Sequence, residues 1–111
     1  MAYFDDNDVY EARSVLAEMY DADSIEIIAA YGNTVICYDW TEAYVAKIGQ
    51  AYYFADASGC SCNTFSTEVA AGDFLEFSSK KALMDYLRKT YGDTSNAEIA
   101  RSLNAQLRAY R

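Results

Sequence analysis

Ala43 to Asp56 holds two alternating segments, residues 43–48 and 51–56, joined by Gly49-Gln50. Glycine first in a two-residue connection supplies the backbone freedom of a tight hairpin turn, so this stretch predicts two adjacent antiparallel strands. Tyr44, Ala46 and Ile48 share one face of the first, and Val45 and Lys47 share the other. Tyr52-Tyr53-Phe54 puts rings on both faces of the second, as in a strand that is central or covered on both sides.

The preceding segment reads as another hairpin. Ile25, Ile27 and Ala29 alternate with Glu26 and Ala30, Tyr31-Gly32-Asn33-Thr34 predicts a turn with Gly32 at positive φ, and Val35 to Trp40 returns. In that register Ile25, Ile27 and Ala29 face Trp40, Tyr38 and Ile36, while Ile28 faces Cys37. Glu26 then faces Asp39, a repulsive pair relieved by splaying into water or by a metal ion or a partner's basic group. Phe74, Leu75 and Phe77 predict a short fifth strand after an irregular crossing from Ser58 to Thr67.

Helices flank the strands. Asp8 and Glu11 form an acidic capping box for a helix over residues 8–20, with Val9, Ala12, Leu16, Met19 and Tyr20 on one face. Ser79 caps a second helix carrying Leu83, Leu87 and Tyr91, and Gly92 ends it. Ser95 and Glu98 predict a capping box for the last helix, lined by Ile99, Leu103 and Leu107, with Arg101 and Arg108 away from that side. The expected fold is α+β: an antiparallel sheet of four or five strands, with an N-terminal helix and two C-terminal helices packed on it, covering one face. A chain of 111 residues is expected to be a single domain, residues 1–111.

Charge narrows the function. Seventeen acidic residues oppose nine basic ones, a net charge of −8. Residues 1–79 carry 14 acids and 2 bases, or −12, whereas residues 80–111 carry 3 acids and 7 bases, or +4. The acidic body repels nucleic-acid phosphates and suits a partner with a basic surface. Alternatively, the charge serves only to keep a tyrosine-rich chain soluble. A homo-oligomer pairing the basic tail of one copy with the acidic body of another also fits these charges. No apolar run reaches the ~20 residues of a membrane helix and the N-terminus lacks a signal-peptide pattern, so a cytoplasmic protein without membrane contact is expected.

The chain has no histidine, which removes histidine-based triads and imidazole proton relays. No catalytic residue, resident metal or cofactor is therefore assigned, and binding rather than catalysis is the expectation. Candidate partner-binding residues are Asp5, Asp6, Asp8, Glu11, Glu18, Asp21, Asp23 and Glu26, eight acids within 22 residues, together with Asp39. Tyrosines, 11 in the chain, supply rigid amphipathic contact area or a core of half-buried rings. Tyr38, Tyr52, Tyr53 and Tyr86 suit the core, and Tyr3, Tyr10, Tyr20 and Tyr110 suit exposure.

One compact segment holds reactive side chains: Ser58, Cys60, Ser61, Cys62 and Asn63. Three cysteines are too few for a disulfide scaffold, so free thiols are expected. Cys60 and Cys62, two apart on an extended backbone, point the same way, and Cys37 with Asp39 or Asp56 would complete a zinc site. No base lies within ten residues of Cys60 to depress a thiol pKa. Buried packing, a thiol or zinc module, and one wall of a tyrosine-lined pocket for a small ligand are the readings open to this segment.

The run Ala51-Tyr52-Tyr53-Phe54-Ala55-Asp56-Ala57-Ser58-Gly59-Cys60-Ser61-Cys62 resembles a group of small tailed-phage accessory proteins with a Ser-x-Cys-Ser-Cys segment, over roughly residues 44–90. In that group the segment more often reads Gly-Ser-His-Cys-Ser-Cys followed by an aromatic. Here Ala57 precedes the serine, Gly59 replaces the histidine and Asn63 follows the last cysteine. The resemblance brings no activity but implies a setting, a phage accessory product in the bacterial cytoplasm. In that setting a small acidic protein is expected to bind and inhibit a host protein, as an anti-defence or anti-CRISPR-like inhibitor does, by presenting carboxylates to a nucleic-acid-binding site.

Overall fold

The computed structural model describes residues 6–34, 39–60, 63–94 and 96–110. Helix α1 (Asp6–Leu16) leads through a short 3-10 turn (Ala22–Ser24) into β1 (Ile25–Thr34), β2 (Trp40–Ile48) and β3 (Ala51–Gly59). A single helical turn, α2 (Phe65–Glu68), and a 3-10 turn (Ala71–Asp73) precede β4 (Leu75–Phe77), and α3 (Lys80–Tyr91) and α4 (Ala97–Ala109) close the order. The four strands form an antiparallel meander, β1-β2-β3-β4, so the fold is α+β with the N-terminal and both C-terminal helices packed on the sheet.

The helices cover both faces rather than one. Tyr44 and Ala46 of β2 join Ala12, Val15 and Leu16 of α1 and Phe65 of α2 in one core. Ala43 and Val45 join Leu83, Leu87, Ile99, Leu103 and Leu107 of α3 and α4 in the other. Four consecutive residues of β2 are thereby buried, as a doubly covered strand requires. Rings knit the layers: Phe65 meets Tyr44 edge-on with centroids 4.8 Å apart, and Phe54 meets Tyr91 at 6.2 Å on the opposite face.

The hairpin predicted at residues 43–56 is present, with Gly49 at φ +63°. The first predicted hairpin is not. β1 continues through Tyr31-Gly32-Asn33-Thr34 and pairs with β2 in the register Ile25↔Ile48 to Thr34↔Trp40. Tyr31 is 5% exposed within the second core, a position incompatible with a solvent-facing turn, and among the described residues Gly49 alone has positive φ. Ile25 and Trp40, expected as partners, therefore stand at opposite ends of the β1–β2 ladder. Glu26 faces Lys47 instead of Asp39, so the predicted carboxylate repulsion does not arise. Most of the predicted return strand, residues 35–38, lies outside the described residues.

Helix boundaries shift for local reasons. α1 stops at Leu16 because the amides of Glu18 and Met19 bond three residues back, to Val15 and Leu16. Arg13 then donates to the Ala22 carbonyl (3.0 Å), and Tyr20 turns onto Tyr53, with ring centroids 5.3 Å apart. Ser79 caps α3 as expected, accepting from the Ala82 amide. Asn96, not Ser95, is the N-cap of α4, without a side-chain cap bond. Ser95 is outside the described residues, and Glu98 serves another partner.

Edge strand β1 is closed by a side chain. Gln106 of α4 accepts from the Ala30 amide (3.0 Å) and donates to the Ala30 carbonyl (2.9 Å), which are the two bonds a neighbouring strand would make. A bulge between Ile27 and Ala29 lets Ile28 and Ala29 both face the α3–α4 layer. At the chain's far end, Tyr110 donates to Glu26 (3.0 Å) while its carbonyl accepts from Lys80 (2.7 Å). Replacing Gln106 with Ala strands both polar groups of Ala30, and urea denaturation is expected to show a loss of about 1–3 kcal/mol with an unchanged denaturant slope.

Candidate functional site

The structure gathers only part of the acidic set. Asp5 is outside the described residues, and Asp6 and Asp8 fall in the first turn of α1. Glu11 is occupied internally, accepting from the Ser66 amide (2.9 Å) and tying α1 to α2. Glu26 accepts from Tyr110, and Asp39 is exposed at the other end of the β1–β2 ladder. Glu18, Asp21 and Asp23 remain as one group, all exposed in the turn that follows α1. Among the described residues their carboxylates have no hydrogen-bond or ion-pair partner.

Met19 stands within this turn and is 61% exposed, an unbranched apolar side chain in the same short stretch as the three carboxylates. Beside it is a cleft of about 280 Å³ lined by Arg13, Ser14, Ala17 and Ala22. Sequence periodicity assigned Met19 to the buried face of α1. The helix ends before reaching it, which frees the side chain.

The described part of the cysteine segment, Ser58 to Cys60 and Asn63, is tied to β2 and α2 by hydrogen bonds. Ser58 and Gly59 belong to β3 rather than to an irregular crossing. Trp40 donates its indole N–H to the carbonyls of Cys60 (2.8 Å) and Asn63 (3.1 Å). Asn63 accepts from the Cys60 amide (3.0 Å) and donates to Glu68 (2.6 Å), and Ser58 pairs with Thr41 (3.0 Å). Gly59 is required there, since a Cβ would come within 2.8 Å of the Trp40 ring and 2.3 Å of the Asn63 carboxamide.

Cys60 is disulfide-bonded, contrary to the expected free thiols. Cys37, Ser61 and Cys62 lie outside the described residues. A sulfur held in a disulfide is no thiolate ligand, and among the described residues no group of three metal-binding side chains gathers. Asp56, a possible fourth zinc ligand by sequence, instead accepts from the Tyr91 hydroxyl (2.6 Å).

The ligand pocket expected between tyrosines and Ser58–Asn63 falls partly on Ser61 and Cys62, outside the described residues; clefts lie beside α1 and between α3 and α4. The latter, of about 320 Å³, is lined by Arg88, Arg101, Arg108 and Asn104 over Ala97 and Ala100. Sequence reasoning placed Arg101 and Arg108 away from the core but did not join them to Arg88. Their spacing of seven along α4, with Asn104 between, was the available signal.

Tyrosine hydroxyls meet carboxylates repeatedly. Tyr31 donates to Glu98 (2.7 Å), Tyr44 to Glu42 (2.6 Å), Tyr91 to Asp56 (2.6 Å) and Tyr110 to Glu26 (3.0 Å). Burial, and then the Asp56 carboxylate, raises the Tyr91 pKa. Burial and the Tyr20 hydroxyl push Tyr53 up to about 12. In the other direction, the Tyr31 bond is the first cause holding Glu98 below the ordinary carboxylate range.

No known protein family, curated protein or solved structure matches the chain.

A tyrosine whose folded pKa is raised binds its proton more tightly when folded. Its contribution is complete below the unfolded value of 10.0 and is lost as pH rises through the folded value. The urea midpoint is therefore expected to fall from about pH 10 upward as tyrosinate absorbance rises, and Tyr91→Phe is expected to flatten this alkaline limb.

Proposed function

We propose that this chain acts by binding: a small acidic, phage-type accessory protein that occupies a basic, nucleic-acid-binding surface of a bacterial host protein and inhibits it. The observation that carries the reading is the turn after α1, where Glu18, Asp21 and Asp23 are exposed near Met19 in the chain, itself exposed, and serve no contact among the described residues. Carboxylates steer a cationic partner and set the register, while a flexible thioether adds apolar contact that adapts to the facing surface. The groove beside the turn offers room for a side chain of the partner. Asp39, at the far end of the β1–β2 ladder, is outside this binding group, and Glu11 and Glu26 support the fold rather than the partner.

Electrostatic contacts of this kind weaken with salt. Affinity capture from bacterial lysate at ~50 mM salt is expected to retain a basic host protein that is released at ~500 mM. The same protein is expected to be absent when Glu18, Asp21 and Asp23 are all replaced by Lys. A capture pattern indifferent to both changes overturns the proposal.

The bacterial cytoplasm is the setting we infer. Among the described residues no helix is long and apolar enough to cross a membrane. The Cys60 disulfide runs against this setting, because disulfides persist in oxidising compartments and are rare in a reducing cytosol. Thiol trapping in intact host cells separates the two: a reduced Cys60 is expected from a cytoplasmic protein, and an oxidised Cys60 rejects that compartment.

A further inference from the structure

We infer that the cleft between α3 and α4 binds a small phosphorylated molecule of mononucleotide size that also carries an N–H or O–H donor. This site is separate from the acidic turn and does not depend on its role. Arg101, Asn104 and Arg108, spaced three and four apart, share one face of α4, and Arg88 comes from the last turn of α3. Ala97 and Ala100 have no bulk to fill the space between them, which leaves the cleft of about 320 Å³. That volume lies at the lower end of the range of small-molecule sites.

Three guanidinium groups on one cleft of a chain with net charge −8 form a local reversal of sign. Arg88 pairs with Asp85, which also holds Lys81, and so retains donors for another anion. Among the described residues neither Arg101 nor Arg108 forms an ion pair. Glu98, one turn before Arg101, already accepts from Tyr31. Guanidinium forks match the oxygens of a phosphate in pairs, a geometry that lysines do not provide. A long polyanion meets repulsion from the rest of the surface, whereas a single phosphate group does not.

Asn104 adds the selectivity. It is 4% exposed, its amide nitrogen donates weakly to the Met84 carbonyl (3.4 Å), and its Oδ1 has no partner among the described residues. A buried acceptor without a donor is costly and is uncommon in folded proteins. Asn104 lines the arginine cleft, so a turn of its sealed amide presents this acceptor to a ligand that brings a hydroxyl or amino group along with its phosphate.

The test is amide and arginine side-chain NMR of the whole chain, titrated with adenosine monophosphate, inorganic phosphate and adenosine. Adenosine monophosphate is expected to shift signals from residues 97–108 and Arg88 saturably. Inorganic phosphate should act at the same place about tenfold more weakly, and adenosine should have no effect. The doubly substituted Arg101→Ala, Arg108→Ala protein keeps its core and is expected to lose at least about tenfold in affinity. Asn104→Leu removes the unmatched acceptor, so its melting temperature should hold or rise while its affinity for adenosine monophosphate falls to that for phosphate. The inference fails if neither phosphate compound shifts the cleft, if the arginine variant binds as before, or if heparin alone titrates it.

Discussion

Hydrogen bonding between tyrosine and carboxylate governs this fold. A chain with 17 acids, 9 bases and no histidine lacks the cations to pair its carboxylates at the layer boundaries. Tyr31 and Glu98 join β1 to α4, Tyr91 and Asp56 join α3 to β3, and Tyr110 and Glu26 fasten the end of the chain to β1. A phenolic hydroxyl satisfies an ionised oxygen while its ring remains in the apolar layer, so each tyrosine serves packing and electrostatics together. Ion pairs are correspondingly sparse: among the described residues both involve Asp85, on the exposed side of α3.

The parts legible in sequence were those set by local geometry. Gly49-Gln50 defined its hairpin because only a tight turn uses that pair between alternating segments, and the stripes Leu83-Leu87-Tyr91 and Ile99-Leu103-Leu107 gave α3 and α4 their buried faces. Gly32 misled because turn chemistry competes with strand length. A ladder running to Thr34↔Trp40 buries Tyr31, a gain that a local turn at residues 31–34 cannot supply. Tyr52-Tyr53-Phe54 pointed to a strand central or covered on both sides, yet the helices were expected on one face, and assigning α1 and α3 to opposite faces required the tertiary arrangement.

The candidate binding residues were less legible for the same reason. The acids of residues 5–26 form one cluster in sequence, but Glu11 and Glu26 are consumed by contacts 55 and 84 residues away. Of the acids whose side chains are described, three carboxylates remain, near a methionine exposed by the early end of α1. Charge is thus divided in space as well as in sequence: an acidic turn after α1, and an arginine cleft built from α3 and α4. In the cysteine segment, chemically the most conspicuous, Cys60 is held in place by Trp40 and Asn63.

The clasp between Gln106 and Ala30 also bears on how the chain is made. The two residues are 76 positions apart, so during synthesis β1 emerges long before the side chain that seals its edge. Until α4 is complete, the outer edge of the meander presents an unpaired amide and carbonyl to any extended segment nearby, including β1 of a neighbouring nascent copy. Crowded expression consequently favours strand exchange between incomplete chains, and slower translation of residues 97–109 lengthens the period in which it occurs.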